Sequence, residues 1–179
     1  NAVTGVFLHE TVVTNFNNHG TLNIDSTQQT AIYNYTERGD ELNFTNTGDI
    51  NISRSNEYGF YNRSNNNNTE YNTSISFDSM DGNITISDTE LNGIYNFPQN
   101  DTLVFRNNGN LNISNTGENG IYNYTYQNKS AILFENDENG VIDIQNVALD
   151  AIYNYNLMYD TTYATKQLFD NSGTLKFTN

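Results

Sequence analysis

One spacing constrains the fold of this chain more than any other feature. Five glycines each lie eleven residues before the small residue that opens a short tyrosine-containing motif. The glycines are Gly20, Gly48, Gly82, Gly109 and Gly140, and the motifs are "AIYNY" (31–35), "GFYNR" (59–63), "GIYNF" (93–97), "GIYNY" (120–124) and "AIYNY" (151–155). Equal spacings between matching residue types define an internal repeat.

A third element precedes each glycine. It has the pattern F-x-N-x-G at 16–20, 44–48, 105–109 and 169–173, with looser versions in "FDSMDG" (77–82) and "FENDENG" (134–140). Each repeat therefore holds three short stretches, such as "TLNI", "AIYNY" and "ELNFTN", in which apolar and polar residues alternate. This alternation is typical of β-strands, and Asn, Thr, Ile and Tyr are weak or middling helix formers.

A repeat of three strands and no helix predicts an all-β chain folded as a parallel β-helix, or β-solenoid. Each rung would lie about 4.8 Å from the next, and neighbouring rungs would bury the apolar residues that one rung cannot cover. We expect a single solenoid domain over residues 1–179, with about six three-strand rungs and no significant helix. The pattern is already under way at "GVF" (5–7) and continues in "GTLKF" (173–177), so we expect a segment of a longer array.

The alternation also predicts which side chains face inward. In the stretch after each glycine, residues such as Ile50 and Ile52 face the core and Asn51 faces solvent. In the third stretch, Leu42 and Phe44 face inward, and an asparagine follows near the corner glycine. We predict a structural ladder of these asparagines, in which each hydrogen bond contributes about 1 kcal/mol. The predicted ladder contains Asn18, Asn46, Asn107 and Asn171.

The tyrosine motif allows two orientations. Ile32 and Asn34 share one face of the strand, while Tyr33 and Tyr35 share the other. If isoleucine belongs to the core, the asparagine lies at the corner and the tyrosines form an outward column; the reverse arrangement buries the tyrosines. An outward column could simply stabilise the sheet, or it could bind sugar rings or another protein. The candidate column contains Tyr33, Tyr61, Tyr95, Tyr122 and Tyr153.

The segment between the tyrosine and the next phenylalanine varies in length. It spans 11 residues from Tyr33 to Phe44 but 16 from Tyr61 to Phe77. Because variable lengths are accommodated at the surface, we expect loop insertions at 62–74 and 154–166, projecting from one corner. Their tyrosines are further binding candidates, with solvated loops of no function as the alternative. These tyrosines are Tyr71, Tyr159 and Tyr163.

Charge and composition exclude several classes of function. Seven Lys and Arg against 21 Asp and Glu give a net charge of −14, which argues against nucleic acid as a partner and against a basic membrane-surface helix. No apolar run approaches the roughly 18 residues that would insert into a membrane, and the absence of cysteine excludes thiolate metal sites. The acids are scattered along the sequence. We therefore predict no metal, no cofactor and no catalytic residues, and leave weak calcium binding open.

The closest match to a known family lies in "NNGNLNISNTGENGIYNY" (107–124). Its pattern, N-x-G-x-[LI]-x-[IF] followed by G-I-Y eleven residues after the first glycine, resembles the asparagine-rich repeats of bacterial autotransporter passengers. The resemblance covers nearly the whole chain as a repeat pattern. It implies a right-handed parallel β-helix, extracellular or displayed on the bacterial cell surface, with a role in adhesion, aggregation or toxin delivery. We expect the chain to be a passenger segment, and the secretion route stays open.

Three functional hypotheses follow. The first is a non-enzymatic adhesin segment that binds a glycan or protein of a host or a neighbouring bacterial cell. The second is a structural stalk spacer, and the third is a polysaccharide-degrading enzyme built on the same scaffold, which would need a carboxylate–base cluster. Exposed strand edges could also drive self-association.

Overall fold

The chain forms a β-solenoid with three strands per rung. A computed structural model describes residues 5–10, 13–37, 40–66, 74–126, 129–157 and 165–179. Within these ranges the regular structure consists of 18 β-strands in three six-stranded parallel sheets, without any helix. None of these segments forms an apolar helix of membrane-spanning length. The predicted all-β parallel solenoid is confirmed.

Successive strands along the chain enter the three sheets in turn, and each sheet is named here by its repeated residue. The tyrosine sheet contains β1 (Val6–Glu10), β4 (Ile32–Glu37), β7 (Phe60–Asn65), β10 (Ile94–Gln99), β13 (Ile121–Tyr126) and β16 (Ile152–Leu157). The phenylalanine sheet contains β2 (Val13–Asn18), β5 (Glu41–Asn46), β8 (Ser74–Ser79), β11 (Thr102–Asn107), β14 (Ala131–Asn136) and β17 (Lys166–Asn171). The isoleucine sheet contains β3 (Thr21–Thr27), β6 (Asp49–Ser55), β9 (Asn83–Thr89), β12 (Asn110–Thr116), β15 (Val141–Val147) and β18 (Thr174–Thr178).

The core consists of columns of identical or similar apolar side chains. Phe44, Phe77 and Phe105 are fully buried, and their rings stack with centroids 4.7 Å and 4.5 Å apart. Isoleucines such as Ile50 and Ile52 form the matching columns of the isoleucine sheet. Burying each such side chain contributes roughly 1.5–3 kcal/mol. The inward positions predicted from the alternation are therefore confirmed.

A continuous asparagine ladder runs through the core beneath the tyrosine sheet. Each side-chain amide donates through Nδ2 to Oδ1 of the asparagine in the next rung, at 2.7–2.9 Å. Asn34 is the third of six residues in β4, so the prediction that this asparagine lies at a corner was wrong. The strand spacing of about 4.8 Å places identical amides within hydrogen-bonding reach, so each buried amide oxygen after the first in the ladder has a donor, whereas Asn34 Oδ1 has no hydrogen-bond partner. The ladder contains Asn34, Asn62, Asn96, Asn123 and Asn154.

The predicted corner ladder forms in two pieces. Asn18 donates to Asn46 at 2.8 Å, and a second piece joins Asn107, Asn136 and Asn171 at 2.8 Å and 2.7 Å. Asn136, which the prediction omitted, comes from the looser motif at 134–140. Ser79 occupies the position between the two pieces. Its side chain is too short to reach, so Asn107 Oδ1 is buried without a hydrogen-bond partner.

A left-handed residue recurs in the isoleucine sheet. The sixth residue of five of its strands has a φ between 51° and 61°. Two successive side chains then point outward before the next one returns to the core, which the simple alternation did not predict. Asparagine and aspartate tolerate this conformation better than most residues. The five positions are Ser26, Arg54, Asp88, Asn115 and Asn146.

Close packing explains why a small residue opens the tyrosine motif. A Cβ at Gly93 would lie 2.6 Å from Ile113 Cγ2 and 2.7 Å from the carbonyl oxygen of Gly120. Both contacts are closer than carbon normally permits, and both are made to neighbouring rungs. A Cβ at Gly109 would likewise lie too close to the backbone of Gly82 in the neighbouring rung. The spacing of eleven residues therefore separates two positions, the repeat glycine and the small residue of the tyrosine motif, at which consecutive rungs are in close contact.

The predicted insertions are shorter than expected. Residues 62–65 belong to β7 and 74 to β8, while 154–157 belong to β16 and 166 to β17. The strands continue because the in–out alternation extends beyond the motif to Ser64 and Asn65. Residues 67–73 and 158–164, which include the candidates Tyr71, Tyr159 and Tyr163, lie outside the described residues.

Replacing Asn62 with alanine should strongly destabilise the fold. The substitution leaves Asn34 Nδ2 without an acceptor and Asn96 Oδ1 without a donor, both inside the core. Each unsatisfied group costs about 1–3 kcal/mol, so we expect the free energy of unfolding to fall by about 2–4 kcal/mol in chemical denaturation. The control is Asn51→Ala, which removes an exposed bond to Asn23 and should cost less than about 0.5 kcal/mol. Equal losses would contradict a special role for the buried ladder.

Replacing Ser79 with asparagine should join the two pieces of the corner ladder. The new amide would accept from Asn46 and donate to the orphaned Asn107 Oδ1. We expect the free energy of unfolding to rise by about 1 kcal/mol. Ser76→Asn, on the outward side of the same strand, is the matched control and should have little effect. A loss of stability in Ser79→Asn alone would show that the corner lacks room for the amide.

Candidate functional site

The outward side of the tyrosine sheet carries most of the exposed aromatic side chains of the described residues. Two columns run parallel to the solenoid axis, and together they are called the aromatic face. The first column contains Tyr33, Tyr61, Tyr95, Tyr122 and Tyr153. The second contains Tyr35, Arg63, Phe97, Tyr124 and Tyr155.

The first column is a continuous stack. The rings of Tyr33, Tyr61, Tyr95 and Tyr122 lie 4.9–5.0 Å apart with interplanar angles of 4–9°. The outward orientation of the predicted tyrosine column is therefore confirmed. Because each inner ring is covered on both faces by its neighbours, a ligand meets ring edges and hydroxyl groups there. A sugar ring therefore cannot stack flat on the inner rings.

Partial burial keeps the phenols of this column neutral. Desolvation raises the pKa of Tyr61 to about 12 and raises the pKa of Tyr95 far above its usual range. Burial also raises the pKa of Tyr58 to about 12; its ring lies 5.2 Å from both the Tyr61 and the Tyr95 rings. These hydroxyls are therefore neutral hydrogen-bonding groups over the physiological pH range.

The second column contains one cation among aromatic rings. The Arg63 guanidinium carbon lies 5.7 Å from the centroid of the Tyr35 ring in one neighbouring rung and 5.7 Å from that of Phe97 in the other. Phe97 in turn stacks on Tyr124 at 5.0 Å. Arg63 thus takes the place of an aromatic residue in the column and adds a positive charge to the face.

The two columns meet most openly at Tyr153 and Tyr155. Each is 39% exposed, and their rings lie side by side with an interplanar angle of 9° and centroids 6.3 Å apart. Polar residues border the second column: the Tyr35 hydroxyl donates to Glu37 Oε2 at 3.0 Å, and Asn65 Nδ2 donates to the Tyr35 oxygen at 3.4 Å. An aromatic centre with a polar margin is the arrangement found at protein interfaces.

The two ion pairs of the described residues lie away from the aromatic face. Asp25 pairs with Arg54 on the isoleucine sheet, and Glu135 accepts from Arg106 Nε at 2.5 Å on the phenylalanine sheet. In the part of the chain that the structure describes, no group of three or more His, Asp or Glu side chains could hold a metal ion.

One carboxyl group was missed by the sequence analysis. Asp101, at the corner between β10 and β11, is 5% exposed, and its Oδ1 accepts from the Thr102 backbone N–H at 2.7 Å. Its Oδ2 is buried without a hydrogen-bond partner, and burial raises the pKa of Asp101 to about 7. The one signal in the sequence is that Asp40, also buried, occupies the same place immediately before β5.

Comparison with known proteins finds no matching family model, no similar curated protein and no similar solved structure. Function is therefore inferred from the geometry of the aromatic face. Its two columns are built by strands that hold equivalent residues in register from rung to rung.

Replacing Asp101 with asparagine should change how stability depends on pH. The folded-state pKa of about 7 exceeds the unfolded value of about 3.9, so between these pH values the folded state binds the additional proton. The stability of the wild type should therefore fall as pH rises from about 4 to about 7. In Asp101→Asn this decrease disappears, so the melting temperature of the variant should rise relative to that of the wild type between about pH 4 and about pH 7. Parallel melting profiles would contradict the raised pKa.

Proposed function

We propose that this chain is a non-enzymatic adhesin segment, extracellular or displayed on a bacterial surface. In this proposal its aromatic face binds a glycan or protein of a host or neighbouring cell. The observation that carries the proposal is the concentration of aromatic side chains on one of three outward faces. The extracellular location rests on the resemblance of the repeats to autotransporter passengers.

The solenoid itself does not require aromatic residues at these positions. The outward side of the isoleucine sheet carries Asn23, Asn51 and Asn112 at equivalent places, all exposed, and its strands pair just as well. The outward side of the phenylalanine sheet likewise carries Asn43 and Ser76. Aromatic side chains on the third face therefore serve a purpose beyond strand pairing, and a binding surface accounts for them.

The composition and order of the face suit binding. Tyrosine and arginine are enriched where binding energy concentrates at interfaces. The stacked rings are already immobilised by their neighbours, so a partner loses little side-chain entropy when it docks. The two ion pairs of the described residues, Asp25 with Arg54 and Glu135 with Arg106, lie on the other two sheets.

A structural spacer is the second candidate, because one observation favours it. The buried asparagine ladder and the phenylalanine stack continue without a break across at least five rungs. Such continuous columns make the solenoid a stiff rod, which is what a stalk requires. A spacer, however, has no use for the aromatic face.

A pair of double variants tests the proposal. Tyr122→Ser/Tyr124→Ser removes two rings from the aromatic face, while Val104→Ser/Leu133→Ser removes two half-buried apolar side chains from the outward side of the phenylalanine sheet. We expect the wild-type chain, immobilised at equal density, to bind in a glycan-array and cell-adhesion screen. The tyrosine variant should bind at least about tenfold more weakly, a loss of about 1.4 kcal/mol.

The control variant should keep wild-type binding, and circular dichroism should show that both variants remain folded. Equal binding losses in both variants would contradict the assignment to the aromatic face. Absence of wild-type binding throughout the screen would favour the spacer.

A further inference from the structure

The presence of an arginine at position 63 of the aromatic face is not explained by its aromatic neighbours in the column. Its register partners in the adjacent rungs are Tyr35 and Phe97, so an aromatic side chain would continue the stack. An arginine there introduces a charge at the centre of a surface of neutral rings.

Among the residues that the structure describes, no carboxylate forms an ion pair with Arg63. Of the three arginines that the structure describes, Arg54 pairs with Asp25 and Arg106 pairs with Glu135, whereas Arg63 forms no such ion pair. Its Nε is buried without a hydrogen-bond acceptor. This is unusual in a chain with three times as many acidic as basic residues, and it leaves a cation free to pair with an anion from outside.

The guanidinium group is held ready for such an anion. The rings of Tyr35 and Phe97 enclose it from both sides at 5.7 Å, and each exposed cation–π contact contributes about 0.5–1 kcal/mol. A planar, immobilised guanidinium binds carboxylate or sulfate oxygens through two parallel N–H groups at little entropic cost.

Phenol hydroxyls are among the groups that surround Arg63 on the aromatic face. The Tyr35 hydroxyl, for example, both donates to Glu37 and accepts from Asn65. A ligand that combines an acidic group with adjacent hydroxyl groups would supply an acceptor for Arg63 and hydrogen-bonding partners for the phenol hydroxyls of the face. Acidic sugars have that combination of groups.

The net charge of the chain restricts the charge density of the ligand. A net charge of −14 repels a densely charged polyanion at distances up to the Debye length of about 8–10 Å. A glycan whose acidic group stands alone among neutral sugars avoids most of this repulsion and still reaches the cation.

We propose that Arg63, held between Tyr35 and Phe97, binds the single carboxylate or sulfate group of a sparsely charged acidic glycan. This inference rests on the proposed function, because it specifies the ligand class of the same aromatic face.

The test compares acidic glycans with their neutral parents on the immobilised full chain. A panel that includes sialyllactose, lactose sulfate and lactose separates carboxylate from sulfate recognition. We expect the wild type to bind at least one acidic glycan about tenfold more tightly than its neutral parent, a difference of about 1.4 kcal/mol. This comparison needs no variant and so does not depend on the folding of one.

Three variants then assign the preference to Arg63. Arg63→Tyr keeps the stack between Tyr35 and Phe97 but removes the charge, so binding of the acidic glycan should fall to the level of the neutral parent. Arg63→Lys keeps the charge without the planar fork and should retain part of the preference. Arg106→Gln removes a positive charge from a different sheet and should leave the preference unchanged.

The outcomes separate this inference from the proposed function. Equal wild-type binding of acidic and neutral glycans would overturn the inference and leave adhesion through the aromatic face intact. A preference that persists in Arg63→Tyr would also overturn it. Absence of any glycan binding would overturn the inference, while binding to a cell-surface protein that is lost in Tyr122→Ser/Tyr124→Ser would preserve the broader proposal.

Discussion

In-register stacking of like side chains, one strand spacing apart, is the interaction on which the rest of this structure depends. Hydrogen bonds between stacked side-chain amides provide partners for buried polar groups, as between Asn62 and Asn96. Stacked aromatic rings fill the core at Phe77 and Phe105, and they order the surface at Tyr61 and Tyr95. A strand spacing of about 4.8 Å suits both contacts, so a single geometric repeat supports core and surface alike.

The same stacking decides what the surface can recognise. Because the inner tyrosines cover one another's faces, the aromatic face presents edges and neutral hydroxyl groups instead of flat platforms. Arg63 fits this stack by shape, since a guanidinium group is planar, but differs from its neighbours in charge. A positive charge is thereby added to one rung of a regular scaffold without a change in its backbone.

Much of the fold follows from the alternation and the constant spacing, including the inward isoleucines and phenylalanines and the outward tyrosines. The pattern was less reliable where a feature depends on the neighbouring rung. Ser79 could continue the corner ladder only if its side chain were long enough to hydrogen-bond to both Asn46 and Asn107. The spacing between those residues in adjacent rungs is not encoded in any local sequence pattern. The left-handed positions, such as Asn115, were also missed, because several residue types occupy them and none is glycine.

The sequence by itself determined the three-strand repeat, the sheets to which the stretches belong and the side of each strand that faces the core. Periodicity suffices for these, because in a strand neighbouring side chains must point to opposite sides. Only the tertiary structure decided that Arg63 lies between Tyr35 and Phe97, 28 and 34 residues away along the chain, and that Asp101 is buried at a corner. The surroundings of Arg63 and Asp101 are formed by side chains from other rungs, which come close together only in the folded solenoid.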